Sequence, residues 1–285
     1  MDKLIGTLGI SSLPGSQVSR MAAELDEQVV SFRNRPLGDA GPFTFVAADA
    51  LTLKVREGGR VVSAVVLTAT GVNADGHREV LGLRVATTES SAAWNGLLAD
   101  LVARGLTGVR LVTSDAHTGL VEAIATNLPG ATWQRCRTHY AANLMTVVPK
   151  SLWPAVKAML HCVYDQPDAA AVEAQFDRLL DYVHTILPEA ADHLEAARSD
   201  LLASAAFPVE VWRQIWSNNP QERLNKEIRR RTDSVGIFPN RDAIIRLVGA
   251  VLAEQTDEWT EGRRYLSLDV LNRSRNLPNT PSLTS

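Results

Sequence analysis

Hydrophobic positions along this chain change their spacing several times, and each change marks a different element. Residues 9–32 open with a Gly and Pro14 break. They then repeat apolar residues at helical spacing, with Val18, Met21, Ala22 and Leu25 on one stripe. Residues 35–42, RPLGDAGP, form a turn-rich linker. Beyond it the pattern becomes strand-like. Residues 43–55 (FTFVAADALTLKV), 61–72 (VVSAVVLTATGV) and 79–87 (EVLGLRVAT) are β-rich apolar runs joined by Gly-containing turns, which predicts an antiparallel meander. A helix over about 92–104, a strand over 109–114, a helix over 117–127, a short strand at ATWQRC and a helix over 138–147 follow. From 151 to 216 every window reads helical. The run NNPQERLNKEIRRR suits a helix, with Pro220 in its first turn. The breaker GIFPN comes next, then a helix near 241–257. The last residues are polar and Pro-bearing, which predicts disorder.

The order βββ-α-β-α-β-α describes an α/β protein with a mixed sheet flanked by helices. The boundaries predict five segments. These are 1–36, a partial helix-turn-helix; 37–149, the first part of a sheet core; 150–215, an all-helical segment; 216–271, the second part of the core; and 272–285, a disordered tail. In the first segment a turn followed by SQVSR suits the second half of a helix-turn-helix, with Ser16, Gln17 and Arg20 free to face DNA. A plain amphipathic linker helix has the same pattern.

Composition narrows this little. The 285 residues are 45% apolar and 21% charged, as in ordinary globular proteins. No apolar run approaches the roughly 18 residues of a spanning helix, and the start lacks the pattern of a secretory signal. Two cysteines, Cys136 and Cys162, point to a reducing cytoplasm. The net charge of −3 creates no global basic field, so local clustering has to carry any argument for a polyanionic partner.

Candidate chemistry lies in the acids. Asp49 sits mid-strand in an apolar run, where a carboxylate is costly unless paired, protonated or metal-bound. Asp115 follows the fourth strand, at a strand-to-helix junction where α/β folds carry ligands; a helix cap is the plainer role. If the two strands are neighbours, the carboxylates approach and favour a shared divalent cation. Glu222, Lys226 and Arg229 fall at i, i+4 and i+7 on one helical face. Residues 223–231 hold five cations, Arg223, Lys226, Arg229, Arg230 and Arg231, against one Glu. A solvated charged surface fits that run too. Cys136 and His139 stand three apart in WQRCRTHY; zinc, a nucleophilic pair or a packed edge all remain open from spacing alone.

With these residues in view, the chain resembles bacterial insertion-sequence transposases of the Mutator type, members of the DDE superfamily with a ribonuclease H-like core. The likeness runs from about Ser16 to Leu271. Blocks such as DALTLKVREGGRVV, GVNADGHREVLGL, ARGLTGVRLVTSDAHTGL, WQRCRTHYAANLM and NNPQERLNKEIRRRTDSVGIFPNRDAIIRL stand in the family's order. The resemblance implies a ribonuclease H-like mixed sheet with a helical insertion before the third acid. It implies a catalytic, metal-binding triad of Asp49, Asp115 and Glu222. Cys136 and His139 match a Cys-x-x-His signature that shapes the active-site edge, and Arg229 is the basic residue seven after the Glu.

The expected chemistry is cleavage and transfer of DNA strands with two Mg²⁺ or Mn²⁺ ions about 3.5–4 Å apart, Asp49 bridging both. No zinc is expected, since no second Cys/His pair completes a site. Arg223, Lys226, Arg230 and Arg231 are expected to meet phosphates. Trp153, Trp212 and Trp216 are expected to pack between helices rather than stack on bases. The partners implied are terminal inverted repeats, target DNA and further copies of the chain, in the cytoplasm at the nucleoid and away from membranes. The family's N-terminal DNA-binding part is expected to be shortened here. Two other readings fit part of the pattern: a non-catalytic DNA-binding remnant that inhibits transposition, and a ribonuclease H-like nuclease.

Overall fold

The three β-rich runs pair in sequence order in the computed structural model, which describes residues 14–277. Strands β1 (Phe45–Glu57), β2 (Arg60–Val72) and β3 (Arg78–Ala86) form the expected antiparallel meander. Glu57 pairs with Arg60 across a two-residue turn, Gly58 and Gly59, both at positive φ, the backbone such a tight hairpin needs. Strands β4 (Leu111–Ser114) and β5 (Thr132–Arg135) then run parallel to β1 and give the order β3-β2-β1-β4-β5. This is the mixed α/β sheet expected of a ribonuclease H-like core.

Each sheet face is covered by its own helices. On one side Val46, Ala48, Leu67 and Leu81 pack with Trp94, Leu97 and Leu98 of α2 (Ser91–Ala103) and with Leu120 and Ile124 of α3 (Thr118–Asn127). On the other, Leu51, Leu53, Val55 and Val66 meet Leu224 and Ile228 of the helix Asn219–Thr232, and Ile244 and Val248 of the helix Arg241–Glu261.

Between β5 and the helix Asn219–Thr232 lie α4 (Arg137–Leu144), α5 (Trp153–Tyr164), α6 (Ala169–Ile186), α7 (Pro188–Leu201) and α8 (Trp212–Ile215). They build a separate apolar core from Val156, Leu160, Phe176, Leu179, Val183 and Leu194. Trp212 and Trp216 are buried in this core and Trp153 packs against it. Gln134 of β5 joins sheet to helices: its Nε2 donates to Leu201 O at 2.9 Å and its Oε1 accepts from Ser204 N at 2.7 Å. The helix Asn219–Thr232 is α9. After it, β6 (Ile237–Phe238) pairs with Lys54 and Val55 of β1, so the GIFPN stretch read as a breaker contains a strand too short to show periodicity. The helix Arg241–Glu261 is α10.

Two further expectations need adjustment, and a third lies outside the described residues. The N-terminal helix, α1 (Gly15–Asn34), lies along α10, held by a bidentate Arg246–Asp26 pair at 2.6 Å. Gly249 permits close approach, since a Cβ there would fall 2.5 Å from Val29 Cγ1. The docked face centres on buried Val29, whereas Met21 of the predicted stripe is exposed. The first helix of the proposed helix-turn-helix lies outside the described residues. Finally, the segment read as a disordered tail opens inside α11 (Leu268–Arg275). Leu271 and Ser274 are fully buried, and the Arg275 guanidinium donates to Thr44 Oγ1 at 3.0 Å. A few apolar residues in a polar composition sufficed to anchor it. Residues 278–285 lie outside the described part.

Candidate active site

The sheet opens where Asp49 sits. β4 pairs with β1 only as far as Ala47, and β6 joins β1 only from Lys54, so residues 48–53 have no strand beside them on that edge. A backbone carbonyl in such a gap needs another donor. Asn218, fully buried at the start of α9, supplies it: its Nδ2 donates to Ala48 O at 2.8 Å. Asp49 shares the sheet face of Leu51 and points toward α9. Its Oδ1 accepts from Ala50 N at 2.9 Å and its Oδ2 from Asn225 Nδ2 at 2.7 Å. Burial, opposed by the Ala50 hydrogen bond and reinforced by the charges of Asp115 and Glu222, pushes the Asp49 carboxyl up to about 6.

Asp115 stands one residue past β4, across the same opening. Facing it is α4, whose N-cap position is Cys136. The thiol is fully buried and accepts from Asn218 N at 3.2 Å. One turn later His139 projects into the opening. Its Nδ1 lies against Asp115 Oδ1 as an ion pair, without the alignment of a hydrogen bond. Its Nε2 is 3.6 Å from Glu222 Oε1. One imidazole thus spans the gap between the second and third acids. Contact with Asp115, then with the Cys136 sulfur, outweighs burial and raises the His139 ring to about 11, so it stands as an imidazolium. Asp115, Cys136 and His139 place potential ligand atoms within 4.8 Å of one another. Three protein donors are the number a catalytic zinc site uses, and the tertiary fold brings Asp115 beside Cys136 and His139 as the third.

A family model described as Transposase, Mutator family, matches residues 1–262. The chain belongs to the Mutator family of transposases. The transposase of insertion sequence IS1081 from Mycobacterium tuberculosis is 63% identical over all of this chain and 71% of its own length. The IS406 transposase of Burkholderia multivorans is 40% identical over 90% of this chain and 66% of that protein. The IS256 transposase in transposon Tn4001 of Staphylococcus aureus is 33% identical over 94% and 69%. Among solved structures, the Drosophila P element transposase strand transfer complex aligns with 94% of this chain and 79% of that one, at a TM-score of 0.31 and 11% identity, too loose a likeness to read a site from.

In this Mutator-family chain α9 carries most of the remaining predicted residues. Pro220 occupies its first turn, and Leu224 and Ile228 bind it to the sheet. A second stripe, missed by the sequence reading, is polar and turned inward. Gln221 donates Nε2 to Thr68 Oγ1 at 2.7 Å and accepts from Thr70 Oγ1 at 2.9 Å, beside Asn218 and Asn225. These bonds fix the rotation of α9 and aim Glu222 at the opening. Of the cations, Arg223, Lys226 and Arg229 face solvent and form no ion pair with a described residue. Arg230 and Arg231 are both held by Glu227, at 2.6 and 3.0 Å, and Arg231 also by Glu254 at 3.4 Å. On α1, Ser16 and Arg20 are exposed and Gln17 partly so.

The opening continues into a cleft of about 350 Å³ whose lining includes Asp49, Asp115 and His139 together with Glu89, Trp94 and His117. Glu89 Oε1 accepts from Trp94 Nε1 at 3.1 Å and lies 3.8 Å from His117 Nδ1. Nothing in the polar turn TTESS singles out Glu89 as a site residue, and only the tertiary fold brings it here. Among the described residues no helix is long and apolar enough to cross a membrane.

Proposed function

We propose that this chain is an insertion-sequence transposase that cuts DNA at terminal repeats and joins the freed 3′ end to target DNA, with Asp49, Asp115 and Glu222 as the catalytic acids. The observation that carries this is their convergence from β1, the end of β4 and α9 on one opening of the sheet, with a single imidazole between two of them. Carboxylates so grouped repel, and the Asp49 carboxyl, raised chiefly by burial, is raised further by the charges of Asp115 and Glu222. The donor set fits hard divalent ions: three carboxylates, plus the buried amide oxygens of Asn218 and Asn225, which have no hydrogen-bond donor among the described residues. Bound Mg²⁺ or Mn²⁺ would activate the attacking oxygen and offset charge on the departing 3′ oxygen.

The protein's own groups supply the rest. His139, cationic beside Asp115, presents positive charge where a scissile phosphate would lie. It balances two of the acids until ions take over that role. Lys226 and Arg229 share the Glu222 face of α9 and, with Arg223, are free to neutralise flanking phosphates. Arg230 and Arg231, already neutralised by Glu227 and Glu254, contribute less. Ser16, Gln17 and Arg20 would contact DNA from the exposed start of α1. Joining two element ends calls for more than one copy of the chain.

The test is Mn²⁺-dependent nicking of terminal-repeat DNA by the native chain and by Asp49→Asn, Asp115→Asn and Glu222→Gln. Each substitution is expected to reduce nicking by about 10³-fold or more, with DNA binding retained. Binding with no cleavage by the native chain would instead identify a remnant, and cleavage indifferent to terminal sequence a nuclease.

A further inference from the structure

We propose that Asn225 is a positioning residue that fixes the Asp49 carboxylate for metal binding, donating its amide N–H to one oxygen and keeping its own oxygen for the hydration shell of an ion. The inference rests on the reading of Asp49 as a metal ligand. α9 carries Asn225 three residues after Glu222, so one helix delivers both an acid and the group that orients a second acid on β1. Asp49 is held at both oxygens, Oδ1 by Ala50 N at 2.9 Å and Oδ2 by Asn225 Nδ2 at 2.7 Å. A carboxylate pinned in this way cannot turn about its own bond, and outer hydrogen bonds of this type govern how ligands meet a metal.

The amide suits this place because it donates without charge. An acid at position 225 would add a further negative group beside Asp49, Asp115 and Glu222. A lysine would neutralise the charge that attracts ions. The other polar residues on the inner stripe do different work: Asn218 bonds a strand carbonyl and Gln221 bonds two threonines, so both serve the docking of α9. Among the three, only Asn225 bonds a carboxylate of the triad. With Nδ2 committed to Asp49, its Oδ1 is buried and has no donor among the described residues. A buried amide oxygen is seldom left bare, and ion-bound water is a donor of the right kind.

The experiment is titration of Mn²⁺ alone, without DNA, followed by the electron paramagnetic resonance signal of the free ion. It compares the native chain with Asn225→Ala, Asn225→Asp and Asp49→Asn, with thermal unfolding recorded for each. Asn225→Ala is expected to weaken Mn²⁺ binding about 10-fold. Nicking by this variant would be lost at low Mn²⁺ and recovered at high Mn²⁺. Asn225→Asp, equal in shape but unable to donate when ionised, is expected to bind at least as weakly, and it carries the test if the alanine variant unfolds. Native-like binding by Asn225→Ala, with Asp49→Asn defective, would overturn the role of Asn225 and leave the triad standing. Tighter binding by Asn225→Asp would also overturn it, making position 225 a direct ligand. Native-like binding by Asp49→Asn would remove Asp49 as a ligand and this proposal with it.

Discussion

The two packed regions of this chain bury different things. The helices α4 to α8 enclose a core of Val156, Leu160, Phe176, Leu179, Val183 and Leu194 with few polar atoms inside it. The sheet also buries apolar clusters, one on each face. At the end where β4 leaves β1, however, it also encloses Asn218, Gln221, Thr68 and Thr70, with Asp49 beside them. Buried polar groups cost stability unless each is bonded. Most of these groups are bonded, but the buried amide oxygens of Asn218 and Asn225 have no donor among the described residues, and there the fold gives up stability beside Asp49. The helical region has no such cluster of amides and threonines among its described residues, and it buries Trp216 just before α9 begins.

The sharpest break of that contrast exchanges the two kinds of site. Phe176→Ala is expected to cost about 3–5 kcal/mol of stability by leaving a cavity, while nicking at low temperature survives. Asp49→Asn is expected to abolish nicking and, in metal-free buffer near pH 7.5, to unfold at the same temperature as the native chain or higher. The sign follows from the raised Asp49 carboxyl, which reaches about 6 when folded. The folded state holds this proton more tightly than the unfolded one, so ionised Asp49 destabilises the fold above that pH. The advantage of the asparagine should grow between about pH 4 and 6 and vanish below it, by melting curves taken across that range.

A smaller effect separates the cations of α9. Replacing Lys226 and Arg229 by Ala should flatten the dependence of DNA affinity on salt by about two units of slope. The same change at Arg230 and Arg231 should alter it far less, because Glu227 and Glu254 already neutralise them. Equal slopes for the two pairs would remove the distinction. Smallest of all, Asp26→Asn should loosen α1 from α10 without reaching the acids. Pairing with Arg246 holds the Asp26 carboxyl below its usual range, so its contribution is present at neutral pH and fades as pH falls through the folded value. Proteolysis of α1 at pH 7, faster in the variant while Mn²⁺ binding is unchanged, would report it.

Much of this was written in one dimension. Alternation and turn glycines marked β1, β2 and β3, because a half-buried strand repeats every two residues and a tight hairpin demands positive φ. The acids stood out where a charge interrupts an apolar run or follows a strand. The family blocks supplied the order in which those acids belong together. Elements with too few residues to show a period escaped, as β6 did, and α11 carries its buried Ser274 into the segment read as a polar tail. The inward polar stripe of α9 was equally silent, since Asn218, Gln221 and Asn225 look like surface residues until a helix face is chosen. That choice was made by Leu224 and Ile228 seeking the sheet. Periodicity is a local property that each segment carries alone, whereas the opening beside Asp49, the imidazole between Asp115 and Glu222, and the bond from Asn225 exist only once distant segments compete for the same space.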